Sequence, residues 1–236
     1  HLGITHVHHF FNKRTLLVLS EFYKLIKDSK FYSYFQMILR DSTTYSTLLV
    51  KVNIPRLLDK GGLFSFGAVT GTLYVPSLNG ERNIIDAIES KMESFIKHSF
   101  NNIEKKNINI STQDSGDLQF ISDESVDYIF VDPPFGSNLM YSELNFIHES
   151  WIKVKTNNRE EAIINKSQDK DLDDYLFLIN KCFNEFYRVL KKGRWITIEF
   201  SNSQASVWNA IRQAIEKAGF IIANVSALDK KQGSFK

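Results

Sequence analysis

Val126-Asp127-Tyr128-Ile129-Phe130-Val131 runs directly into Asp132-Pro133-Pro134-Phe135-Gly136, and this stretch decides how the rest of the chain is read. The first six residues are an almost unbroken run of β-branched and aromatic types, the pattern of a strand covered on both faces. Two successive prolines then remove two backbone donors, fix φ twice and hold the preceding residues extended. The strand therefore ends abruptly, and ligands in open α/β sheets bind at that carboxyl edge.

Working outward, Asp171 to Leu190 predicts a long helix with Leu172, Tyr175, Leu176, Ile179, Cys182, Phe183, Phe186 and Leu190 on one stripe. Trp195 to Phe200 predicts a second strand, and Gln204 to Ala218 a helix stopped by Gly219. Phe220 to Val225 and residues 108–112, around Ile108-Asn109-Ile110, predict two further strands. Strands alternating with helices imply an α/β fold whose mostly parallel sheet is covered on both faces. Upstream, helical spacing is read from Lys13 to Lys27, from Phe31 to Arg40 in a helical or mixed stretch, and from Arg82 to His98. Between them, residues 51–80 read as a loop-rich insertion punctuated by glycine and proline. Residues 1–100 are thus expected to form a helical N-terminal part and residues 101–236 the sheet-bearing half.

The 236 residues are 43% hydrophobic and 24% charged, which excludes a wholly disordered, collagenous or membrane-spanning chain. Twenty-nine basic against 27 acidic residues give a net charge of +2, so any nucleic-acid surface must be a local patch. A lone cysteine, Cys182, allows neither an internal disulfide nor a cysteine-based zinc site within this chain. It suits a reducing compartment, with the cytoplasm as the expected location. Leu16 to Leu19, the longest apolar stretch near the start, is far short of a signal-peptide core or a membrane span, so no membrane association is expected.

The carbonyls of Asp132-Pro133-Pro134-Phe135 project from a stiff backbone beside the Asp132 carboxylate, and Phe135 offers a flat apolar face. The complementary ligand is a planar ring carrying an amino group. The lone pair of such an amine is conjugated with its ring. Two acceptors gripping its hydrogens favour a pyramidal nitrogen whose lone pair is free to attack an electrophilic methyl group. Reaching that amine in a duplex requires flipping the base into a pocket, where Phe135 would stack on it and Gly136 would keep the entrance free of bulk.

Asp132-Pro133-Pro134-Phe135 resembles the catalytic motif of amino-group DNA methyltransferases, the N6-adenine and N4-cytosine class that uses S-adenosyl-L-methionine. The segments Thr5 to Arg14, Gly71 to Ser77, Tyr141 to Asn145 and Leu228 to Gly233 are similar to a group of adenine-specific DNA methylases, some carrying a zinc ribbon. The resemblance implies a Rossmann-like class I methyltransferase sheet, with Asp132, Pro133, Pro134 and Phe135 as the catalytic residues. It further implies cofactor contacts from Asp117, preferred over Asp114, from Ser115 and from Asp132, and substrate contacts from Gly136, Asn138 and Tyr141. Asn145 is a further candidate for contacting DNA.

An initial Asp is commoner in the adenine enzymes, so a flipped adenine in DNA is the expected substrate, in a restriction-modification or phage-defence setting with its partner. The glycine-rich cofactor loop of such enzymes is missing here, and the resemblance places it ahead of His6 to Arg14, so the chain is expected to be a fragment. N4-cytosine or RNA methylation, amide methylation of a protein, and a non-catalytic DNA-binding or assembly module stay open.

Blander readings accompany several of these residues. Asp132 to Phe135 also suits a plain strand-ending turn. Asn138 also suits a helix cap, with Tyr141 packed in the core. His6, His8 and His9 read as surface or packing residues, and no metal site is expected. Lys155 to Lys170 reads either as a mobile phosphate-contacting loop or as a solvated linker.

Overall fold

A computed structural model describes residues 3–60, 73–97, 108–137 and 139–227. Two compact units emerge: residues 1–110 with 140–158, and residues 111–139 with 159–236.

The first unit is helical. Helices α1 (Lys13–Ile26), α2 (Tyr32–Thr44), α3 (Ile54–Lys60), α4 (Ile84–Lys97) and α5 (Tyr141–Ile152) belong to it. Asn12 caps α1, its Oδ1 accepting from the Thr15 amide at 2.7 Å. This satisfies one of the donors a helix start leaves open. Leu19 of α1, Leu39 of α2, Ile84 and Ile88 of α4, and Ile147 of α5 close on Phe10 and Phe11 to form one apolar core. Trp151 stands edge-on to Phe11 with centroids 6.0 Å apart.

In the expected insertion, Ile54 to Lys60 is helical instead, because Asn53 precedes Ile54-Pro55 and proline suits a first helical turn. The strand-like runs expected at Leu63 to Phe66 and from Thr72 lie outside the described residues, and Leu73 to Val75 form no strand.

The second unit holds the sheet. Strand β1 (Val126–Val131) pairs in parallel with β2 (Leu190–Ile198), placing Tyr128 beside Trp195, Phe130 beside Thr197 and Val131 beside Ile198. Between β1 and β2 runs α6 (Leu172–Val189), opened by a reciprocal capping box between Asp171 and Asp174. Helix α6 passes into β2 without a loop, so β2 begins five residues earlier than Trp195, through the Lys191-Lys192-Gly193 stretch. Helix α7 (Ala205–Ala218) ends on Gly219 at φ 104°, a left-handed cap that glycine reaches without strain.

Tyr175, Ile179 and Phe183 of α6 meet Val207, Ala210, Ile211 and Ala214 of α7, with Ile196 and Ile198 of β2 packed against them. Burying each large side chain contributes roughly 1.5–3 kcal/mol. This helical layer covers one face of the sheet. On the other, Tyr128, Phe130 and Trp195 are 54%, 60% and 65% exposed, and the Tyr128 hydroxyl donates to Thr197 Oγ1 at 2.6 Å.

The α/β class is as expected, whereas among the described residues two of the four expected strands do not form. Residues 108–112 and 220–225 form neither helix nor strand, and Ile110 and Ile221 are about nine-tenths exposed. Apolar alternation is compatible with pleating, but only a neighbouring edge supplies the hydrogen bonds that make a strand. Among the described residues no helix is long and apolar enough to cross a membrane.

Candidate active site

The last ladder bond of β1 runs from the Glu199 amide to the Val131 carbonyl at 2.9 Å. Asp132 then turns its side chain to solvent, while Pro133, Pro134 and Phe135 are half-buried and Gly136 is buried. The chain is held here by three donors from elsewhere in the same unit. The Tyr175 hydroxyl, on a fully buried side chain of α6, donates to the Pro134 carbonyl at 2.8 Å. Asn202 Nδ2, from the loop after β2, donates to the Phe135 carbonyl at 2.7 Å. The Ile164 amide donates to the Gly136 carbonyl at 3.2 Å. Each bond is worth about 0.5–1.5 kcal/mol net, and removing a donor leaves a part-buried carbonyl unpaired.

The consequence is selective. Three consecutive carbonyls are occupied, while among the described residues nothing donates to the Asp132 carboxylate or the Pro133 carbonyl. These two acceptors remain for a ligand.

Phe135 stands edge-on to Phe200 at 5.3 Å and 86°, and Phe200 edge-on to Trp208 at 4.9 Å and 88°. Such T-shaped pairs add about 0.5–1.5 kcal/mol each beyond area burial and fix ring planes. Gly136, expected to keep an entrance clear, is enclosed instead. Its φ is +74°, and a Cβ there would meet Val207 Cγ1 at 3.3 Å and Asn202 Nδ2 at 3.4 Å. Both conformation and space call for glycine.

Ser115 and Asp117 lie in a tight turn. Asp114 Oδ1 accepts from the Gly116 amide at 2.8 Å, and the Asp114 carbonyl accepts from the Asp117 amide at 3.1 Å. Asp114 Oδ2 pairs with Lys181 at 2.8 Å. Burial pushes the Asp114 carboxyl upward, but the Lys181 and Gly116 hydrogen bonds outweigh it and hold the pKa below the usual aspartate value. Asp117 is exposed and, among the described residues, its carboxylate accepts only a long bond, 3.4 Å, from the Gln119 amide.

The turn is not among the groups surrounding the motif. It follows α6 at Lys181, and Glu185 accepts from the next amide, Leu118, at 2.8 Å. Those residues are about 9 and about 15 Å farther along α6 than Tyr175 at 1.5 Å per residue.

Asn138 lies outside the described residues. Tyr141 opens α5 in the first unit and is 37% exposed, and the residue at the cap of that helix is Met140. Asn145 is also carried by α5.

Among residues 155–170, those from Glu161 onward are built into the second unit. Ile163 is fully buried, Asn165 and Lys170 exchange both backbone bonds at 3.0 Å, and Lys170 Nζ donates to the Glu161 carbonyl at 2.5 Å. Of the groups that hold the motif, Tyr175 reads in sequence as one more member of the α6 stripe. Asn202 carries the one available signal, its position at the carboxyl end of a strand.

Residues 126–236 match the family model N6_N4_Mtase, described as DNA methylase. Over this segment the chain is similar to the N6/N4 DNA methylases. The match begins with the first residue of β1 and includes the motif, α6, β2 and α7. The chemistry of the DNA methylases is methyl transfer to DNA, onto N6 of adenine or N4 of cytosine. No curated protein and no solved structure matches the chain.

Proposed function

We propose that the chain transfers a methyl group from S-adenosyl-L-methionine to the N6 amino group of a flipped adenine in DNA, and that its sheet is the core of a Rossmann-like methyltransferase fold. One observation carries the reading: three motif carbonyls are consumed internally, and the acceptors left open among the described residues include the Asp132 carboxylate and the Pro133 carbonyl. Two acceptors on one stiff edge match the two hydrogens of an exocyclic amine.

Drawing those hydrogens into hydrogen bonds disfavours the planar, conjugated nitrogen and stabilises the pyramidal form that develops as the N–C bond forms. The extra proton on the methylated nitrogen then leaves through the Asp132 carboxylate, which faces water. Phe135, kept upright by Phe200, offers its face to the extruded base.

The donor set fits the cofactor. A ligand touching both Asp117 and Asp132 has to be elongated, as an adenosyl group joined to a sulfonium amino acid is. Asp117 has an exposed carboxylate suited to hydroxyl donors, whereas Asp114 is already committed to Lys181. Asp117, Ser115 and Asp132 would hold the cofactor, which when bound supplies the electrophilic methyl group. Asn138 is assigned to the substrate side.

The preference for adenine rests on Asp rather than Ser opening the motif. A reducing cytoplasm suits Cys182, a half-buried thiol that burial pushes up to about 11. Restriction or phage defence is the proposed setting, and residues 101–236 are the proposed catalytic half.

The test is Asp132→Ala in the full protein. Transfer of labelled methyl to unmethylated DNA is expected to fall by at least about 10²–10³-fold, the scale of losing one group that stabilises developing charge. The melting temperature should hold, because the side chain is exposed and makes no hydrogen bond among the described residues. Wild-type turnover in the variant rejects the assignment, and mass spectrometry of the modified nucleosides decides between adenine and cytosine.

A further inference from the structure

Asn202 lies in the loop between β2 and α7, and three of its four polar groups are engaged. Nδ2 donates to the Phe135 carbonyl at 2.7 Å, Oδ1 accepts from the Gln204 amide at 2.6 Å, and its carbonyl accepts from Trp208 Nε1 at 2.8 Å. Because the Gln204 amide can only donate, it fixes which end of the carboxamide is oxygen and turns Nδ2 toward the motif. Gln204 is the N-cap of α7, so starting that helix uses Oδ1 alone. The Nδ2 bond adds nothing to the helix start, and its object is a motif carbonyl.

That carbonyl belongs to the one peptide in the motif with real freedom to turn. Gly136 follows it at φ +74°, and a glycine admits either orientation of the preceding peptide plane. A flip would change ψ of Phe135 and φ of Gly136 together and turn the Phe135 carbonyl away from Asn202, losing the bond that ties this end of the motif to the loop after β2. Pro133 and Pro134 have fixed φ and need no such restraint. Phe200 of the same loop holds Phe135 a second way, itself braced by Trp208 of α7.

We propose that Asn202 is a positioning residue for methyl transfer, its side-chain amide locking the Phe135–Gly136 peptide so that Asp132, the Pro133 carbonyl and the Phe135 ring keep one fixed relation. This inference rests on the methyl-transfer reading.

Asn202→Asp tests it, since it keeps the acceptor for Gln204 and the side-chain length but sets an oxygen against the Phe135 carbonyl. Asn202→Ser, still able to accept from Gln204 but too short to reach Phe135, is the second variant should the first fail to fold. Each folded variant is expected to keep its KM for S-adenosyl-L-methionine within about threefold while kcat falls about 10- to 100-fold, as for a small misplacement of reacting groups. The carbonyl carbon resonance of Phe135 should move upfield as its hydrogen bond is lost. A variant with the shifted resonance and wild-type kcat overturns the positioning role, as does an unshifted resonance. A wild-type protein that transfers no methyl overturns the methyl-transfer reading itself, while the resonance still reports the tether.

Discussion

Two aspartate-bearing segments of the second unit, the turn from Asp114 to Asp117 and the motif that Asp132 opens, differ in what has been done with their acceptors. In the turn from Asp114 to Asp117, the first carboxylate is spent on Lys181 and the Gly116 amide, and Lys181 lies so close over Gly116 that a Cβ there would meet its Cδ at 2.8 Å. In the motif from Asp132 to Gly136 the last three backbone carbonyls are engaged and, among the described residues, the carboxylate is left open. The difference separates an aspartate that builds the fold from one that is held by it. Acidity and exposure alone do not make that distinction. The partners of the neighbouring carbonyls do.

The contrast can be broken most severely at Asp132, where Asp132→Ala should remove activity and leave folding intact. Asp117→Ala is the next largest: losing a charge-assisted hydrogen bond of about 1.5–3 kcal/mol predicts roughly 10- to 100-fold weaker S-adenosyl-L-methionine binding by calorimetry, with an unchanged melting curve. Undiminished affinity would return Asp117 to the surface.

Gly136→Ala asks an L-residue to adopt a left-handed φ against Val207, at a cost of about 1–2 kcal/mol read from denaturant midpoints. Tyr175→Phe keeps the ring in the core and leaves the Pro134 carbonyl without its donor, about 1 kcal/mol of stability by the same measurement.

The smallest effect belongs to Asp114→Asn, at most about 0.5–1 kcal/mol because both partners are roughly a third exposed. Its sign is set by pH. The folded pKa of Asp114 lies below its unfolded value of about 3.9, so its contribution is present above that value and is lost as pH falls through the folded pKa. The wild-type protein should therefore lose its advantage over Asp114→Asn below about pH 4.

The sequence was most legible where a pattern reports its own geometry. The α6 stripe from Leu172 to Phe186 and the α7 stripe from Val207 to Ile215 gave helix bounds within a residue or two, because 3.6-residue spacing is a local property. The motif was legible because proline restricts its own backbone. Strand pairing is not local: Ile108 to Ile110 and Phe220 to Val225 carry strand-like composition yet find no edge among the described residues.

Nor could the motif's restraints be read. Tyr175 is 41 residues from Pro134 and Asn202 is 67 from Phe135, distances over which a single sequence holds no record of contact. The polar stretch before Asp171 was undecided between a mobile loop and a linker, and Ile163 and the exchange between Asn165 and Lys170 make part of it a fixed element.

The junction at Val189 and Leu190, where helix becomes strand with no residue between, ties the two ends of this grip together. Tyr175 and Asn202 sit on one continuous length of chain, so a single inserted residue at that joint would turn every side chain of the following strand to the opposite face. The protein has no slack there, and insertions that surface loops absorb would at this point unfasten the motif from one of its two side-chain anchors.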